Sequence, residues 1–144
     1  MNEFGTQSRA HLSTANTALQ SIAVEVLRIK DHSILKGYRG QTEQHEAFAA
    51  GASELDWPDG KHNGRPSDAL DVKTYPVPEA ETEAEAEQLL REEQLYLLGL
   101  YVGIAYSMGV ILRTGADWDR DGEIIDNGFD DFFHVEIVRI SDVR

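Results

Sequence analysis

The chain has 144 residues, of which 41% are hydrophobic, enough for one soluble globular domain that buries about two-thirds of its unfolded surface. A formal net charge of −13 argues against nucleic acid, whose binding rests on basic patches, and provides no long-range attraction to any anionic partner. The lack of cysteine removes disulfides and thiolate ligands, so any zinc must be held by histidines and carboxylates.

The opening Met1-Asn2-Glu3-Phe4-Gly5 has neither a basic start nor an apolar core, which predicts no secretory signal. Apolar residues at Leu19, Ile22, Ala23, Val26 and Leu27 follow a 3.6-residue period and predict an amphipathic helix over residues 16–30. Ser33 to Tyr38 reads as a short strand. Thr42 to Ala50 reads as a helix with Thr42 as N-cap and Gly51 past its end. Residues 52–68, rich in Gly, Pro, Asp and Asn, form an irregular loop, and Ala69 to Thr74 a strand stopped by Tyr75-Pro76-Val77-Pro78. A long helix is predicted from Glu81 to Ser107, with glutamates clustered where the helix dipole favours them and Gly109 as terminator. Leu95 to Leu112 carries no charge over eighteen residues. Its three glycines, three tyrosines and serine make a poor membrane span, and it reads as a helix buried on all sides. Val110 to Arg113 and Phe133 to Arg139 read as strands flanking an acidic loop. Strands and helices mix without βαβ regularity, which predicts an α+β fold with a small antiparallel sheet, one domain over residues 1–144 and no internal repeat.

Two distant segments carry the chemistry. Lys61-His62-Asn63 with Ala69-Leu70-Asp71, and Asp131-Phe132-Phe133-His134-Val135-Glu136, supply two histidines and a carboxylate of zinc-ligand type. A second carboxylate stands three residues before the last histidine. Three protein ligands, an open position and an acid able to take a proton make up the inventory of a hydrolytic zinc site. The plainer reading makes His62 a surface loop histidine and Asp71 a turn acid. Because side chains alternate along a strand, His134 and Glu136 point to one face, where Glu136 orients the histidine or contacts substrate. Otherwise Glu136 is an edge-strand acid.

The run Trp57-Pro58-Asp59-Gly60-Lys61-His62-Asn63-Gly64-Arg65-Pro66-Ser67-Asp68-Ala69-Leu70-Asp71-Val72, ending in Tyr75-Pro76, resembles the zinc signature of the phage L-alanyl-D-glutamate endopeptidases. That family is part of a wider group of D-Ala-D-Ala carboxypeptidases and dipeptidases sharing a fold with the hedgehog domain. Further matches follow in order: Leu35 to Gly40 with Glu43 and Gln44, Met108-Gly109-Val110 leading into Arg113-Thr114-Gly115-Ala116-Asp117-Trp118, and Asp130 to Glu136. The likeness spans residues 4–138. The departures are Phe133 where proline often precedes the histidine, Gly60 where serine is frequent, and Asp68 where a basic or small residue is common.

The resemblance implies that His62, Asp71 and His134 bind zinc and that Asp131 is the general base, with the adjacent Asp130 as rival. It implies that Arg39 faces the scissile carbonyl, where a fixed cation stabilises the oxyanion; the alternative is a surface salt bridge. Gln44 either positions substrate or lies on a helix surface. The implied activity is zinc-dependent hydrolysis of peptidoglycan stem peptides between L-alanine and D-glutamate. The implied setting is a monomeric phage endolysin held in the host cytoplasm until the membrane is opened. A D-Ala-D-Ala carboxypeptidase and a non-catalytic zinc-fold binding module remain as alternatives.

A second metal candidate lies in Asp117-Trp118-Asp119-Arg120-Asp121-Gly122-Glu123, where Asp117, Asp119 and Asp121 followed by Gly122 imitate the start of an EF-hand calcium loop. The twelfth position is Gly128 rather than the bidentate glutamate, and Asp126 or Asp130 would have to supply the missing oxygen. The alternative is an acidic turn tolerated by solvent.

Overall fold

The computed structural model describes residues 1–124, 130–139 and 142. In chain order the elements are α1 (Thr6–Leu12), α2 (Thr17–Ile29), β1 (His32–Lys36), α3 (Gln41–Ala49), a 3-10 turn (Lys61–Asn63), β2 (Ala69–Thr74), α4 (Glu83–Ser107), β3 (Leu112–Gly115) and β4 (Asp131–Ile137). The strands form one antiparallel sheet in the order β1-β2-β4-β3, and the fold is α+β as the sequence pattern predicts.

The predicted stripe of α2 is the one buried: Leu19, Ile22, Ala23, Val26 and Leu27. Asn16 caps the helix by accepting a hydrogen bond from the Ala18 amide. Thr82 does the same for α4, bonding the Glu85 amide. These helices meet each other, and α4 packs on β2, β4 and β3. Leu19, Ile22 and Val26 of α2, Leu97 and Tyr101 of α4, and Leu70, Val72 and Val135 of the sheet are completely buried there. Each such aliphatic side chain contributes about 1.5–3 kcal/mol relative to exposure. Gln94, also fully buried, ties α4 to the sheet: its amide oxygen accepts the Thr74 N–H, and its nitrogen donates to the carbonyls of Val72 and Phe132.

One helix is additional to the predicted elements, and two expectations are corrected. Helix α1 had no signal, because only Ser8 and Leu12 are buried along it and no apolar stripe forms. Thr42 is not a cap; α3 starts one residue earlier, with Gly40 at the N-cap and no side-chain cap bond. The uncharged half of α4 is not buried on all sides. Leu97, Leu98, Tyr101 and Ala105 face the core, whereas Tyr96 is 55% and Tyr106 72% exposed. No helix among the described residues is long and apolar enough to cross a membrane.

Strand alternation sets up the two faces of the sheet. Leu70, Val72 and Val135 go to the helices, so Asp71, His134 and Glu136 go to the opposite face. In the β2–β4 register Asp71 is the direct partner of His134, which places two residues sixty-three positions apart side by side.

Candidate metal centre

His62 reaches the same point from the 3-10 turn, where its Nδ1–H donates to the Gly37 carbonyl at 2.7 Å. A carbonyl can only accept, so that bond leaves the His62 Nε2 lone pair free. It lies 3.2 Å from Asp71 Oδ1. On β4, His134 Nε2–H donates to Glu136 Oε1 at 2.9 Å, which turns the bare Nδ1 towards Asp71 Oδ1 at 3.4 Å. The donor atoms of His62, Asp71 and His134 all lie within 4.8 Å of one another. A tetrahedral zinc with bonds of ~2.0–2.1 Å holds its ligand atoms about 3.3 Å apart. The two distances to Asp71 match that edge length. Both imidazoles also have their other nitrogen engaged by an oxygen, the arrangement that fixes tautomer and ring plane in zinc sites. The residues therefore fit the metal that the resemblance implies.

The electrostatics suit a cation. When a proton rather than a metal sits on those nitrogens, hydrogen bonds from His134 and His62 to Asp71 outweigh its burial and hold its carboxyl well below the usual range. Burial likewise opposes charging His134, yet as an imidazolium it bonds both Asp71 and Glu136, which prevails and lifts its pKa to about 9. The cluster thus attracts positive charge to the point where the three donors converge. The Trp118 ring lies against His134 at 5.3 Å and walls that side.

Asp131 opens β4, and its Oδ1 accepts the Phe133 amide at 3.0 Å. Burial, and next the negative charge of Asp71, raise its pKa. Asp130 is exposed. After a bulge in the β3–β4 ladder, Gly115 pairs with Asp131. A Cβ at position 115 would stand 2.0 Å from the Asp131 carbonyl oxygen and 2.7 Å from its Cβ, so only glycine allows this approach.

Arg39 leaves β1 and reaches the rim of the centre. Its backbone N–H donates to the His62 carbonyl at 2.8 Å, and its guanidinium lies 3.4 Å from Asp71 Oδ2, 3.4 Å from Glu43 and 3.2 Å from Gln44 Oε1. Gln44 is not a surface residue. It is 1% exposed, donates to Ser53 Oγ and the Leu55 carbonyl, and accepts from Asn63 and Arg39. Glu136 is not an edge acid, since β4 is an interior strand; it is 4% exposed and lies between His134 and Arg113.

Asp117, Asp119 and Asp121 also converge, with carboxylate oxygens within 4.8 Å. They form a self-bonded turn on the surface: Asp117 accepts the amides of Asp121 and Gly122, and Asp119 accepts that of Asp121. The calcium expectation gains no support from this geometry, and Asp126 and Gly128 lie outside the described residues.

Asn63, Gly115, Trp118 and Arg113 were not singled out from sequence. Asn63 bonds the Gly60 amide through its side-chain oxygen and the Arg39 carbonyl through its nitrogen, which locks the His62 turn against Arg39. Its place beside His62 was the available signal.

No curated protein matches the chain. In fold it is similar to the crystal structure of the L-Ala D-Glu endopeptidase ChiX of Serratia marcescens, with a TM-score of 0.67 and 18% identity over 95% of this chain and 91% of that one. The sequence model of the phage L-alanyl-D-glutamate peptidases matches residues 1–138. With nearly its whole length so matched, the chain belongs to the phage L-alanyl-D-glutamate peptidase family, enzymes that hydrolyse the peptide stems of peptidoglycan.

Proposed function

We propose that residues 1–144 form a single zinc peptidase domain in which His62, Asp71 and His134 hold zinc and Asp131 serves the cleavage of the L-Ala–D-Glu bond. The observation that carries the metal reading is the convergence of donor atoms of His62, Asp71 and His134, the two imidazole nitrogens 3.2 and 3.4 Å from Asp71 Oδ1 and each ring held by an oxygen behind it. Bound zinc supplies Lewis acidity to the attacking water and to the scissile carbonyl.

The remaining work falls to the chain itself. Asp131, fixed by the Phe133 amide, accepts the proton of the attacking water and returns it to the departing amine of D-glutamate. Arg39 presents a permanent cation on the rim beside Asp71, where negative charge builds on the carbonyl oxygen. Trp118 screens one side of His134 from water. The family places the work on the bacterial wall, and the reading extends to a phage endolysin that acts as a monomer once the host membrane has been opened.

The test is metal replacement. Dialysis against a chelator should abolish hydrolysis of purified peptidoglycan, and about one zinc per chain should restore it. Full activity of a verified metal-free protein would refute the reading.

A further inference from the structure

Arg113 stands on β3 directly opposite Glu136 in the β3–β4 register. Its Nη2 donates to Glu136 Oε2 at 2.9 Å, while the other oxygen of the same carboxylate accepts His134 Nε2–H at 2.9 Å. A continuous line runs from guanidinium to carboxylate to imidazole, ending at the ring whose Nδ1 faces Asp71. We infer that Arg113 is a positioning residue for the metal centre, acting through Glu136 to fix the ring plane of His134. This rests on the reading of His62, Asp71 and His134 as zinc ligands.

The physical case lies in what Glu136 lacks without Arg113. A glutamate side chain has three torsions, and one hydrogen bond to an imidazole does not fix its carboxylate. Holding both oxygens, one from each side, does. Glu136 is also closed to solvent, so water cannot replace the guanidinium as partner for Oε2. Burying a charge is tolerable only when it is paired and hydrogen-bonded, and a half-paired carboxylate will turn to find another donor. Any such turn swings His134 Nδ1 away from the convergence point. Direct cross-strand pairing gives Arg113 little freedom to follow, so the edge strand acts as a fixed reference for a ligand on its neighbour.

Position and charge make opposite predictions here. A guanidinium near the centre repels a metal cation, so if Arg113 acted only by charge, its removal would tighten zinc binding. If it positions His134, removal weakens binding, and loss of such supporting partners typically costs 10–100-fold in metal affinity.

The experiment titrates wild type, Arg113→Met and Arg113→Lys with zinc against a competing chelator. It also records the visible spectrum of each protein loaded with cobalt, which reports ligand geometry. We expect the Kd for zinc to rise about 10-fold or more in Arg113→Met, with an altered cobalt spectrum and partial recovery of both in Arg113→Lys. Zinc affinity equal to or tighter than wild type in Arg113→Met would overturn the inference. If Arg113→Met fails to fold by circular dichroism, Arg113→Lys decides alone. It keeps the charge but loses the planar fork, so weaker binding supports the positioning role and unchanged binding overturns it. A wild-type protein that binds no zinc would instead overturn the metal reading beneath it.

Discussion

Gly115→Ala tests how the proposed base is placed. The added methyl would begin 2.0 Å from the Asp131 carbonyl oxygen and 2.7 Å from its Cβ, and real Cβ atoms essentially never come nearer than 3.0 Å to such atoms. Relief therefore requires β3 and the head of β4 to part by at least about 1 Å, the distance between clash and contact. Backbone strain plays no part, because the φ of Gly115 is outside the left-handed region. A misplacement of ~1 Å in a catalytic group costs about 10²-fold in rate, and overpacking of this kind costs about 1–3 kcal/mol in stability. Turnover of purified muropeptides at saturating zinc should thus fall about 10²-fold, while metal content and KM stay near wild type. His134 lies further along β4, paired with Asp71 on the other side, so the ligand set should survive. Wild-type kcat in a folded Gly115→Ala protein would refute the claim that this contact sets Asp131.

Asp131→Asn should keep its zinc and lose about 10²–10⁴-fold in turnover, because the amide has the shape of the acid but cannot take the proton. The same assay on Asp130→Asn should show little change, and the reverse result would move the base to Asp130. His32 governs acid stability: its Nδ1–H donates to the Lys30 carbonyl, its Nε2 accepts the Tyr101 hydroxyl at 2.6 Å, and burial lowers its pKa from 6.5 to about 4. The unfolded chain therefore takes up this proton first, and stability falls between about pH 6.5 and pH 4, by about 3 kcal/mol in all from this group. Urea unfolding of the metal-free protein should show that His32→Asn loses this component of the pH dependence. Parallel curves for variant and wild type would contradict it.

Much of the fold was legible because its signals are periodic. The stripe of α2 follows from apolar spacing and the bounds of β2 from the loop before it and the prolines after it, and both match the structure. Helix α1 was not, because it is held by docking against β1 rather than by an apolar stripe of its own. The exposed apolar side of α4 shows the limit of composition: an uncharged run says nothing about which faces are covered. For the site, His62, Asp71, His134 and Asp131 stood out by residue type and by the motif around them. Their support was hidden because it depends on register. That Arg113 faces Glu136, that Gly115 faces Asp131 and that Gln44 is enclosed follow from strand pairing and loop packing, which no local pattern encodes.

The most direct test of the account is a digest of muropeptides of known stem, analysed by mass spectrometry, with wild type, chelated wild type and His134→Ala. Zinc-loaded wild type should leave L-alanine on the sugar and release a peptide with a free D-glutamate amine. Chelated protein and His134→Ala should release nothing, and zinc should rescue only the former. Release of terminal D-alanine instead, or undiminished cleavage by the metal-free protein, would contradict it.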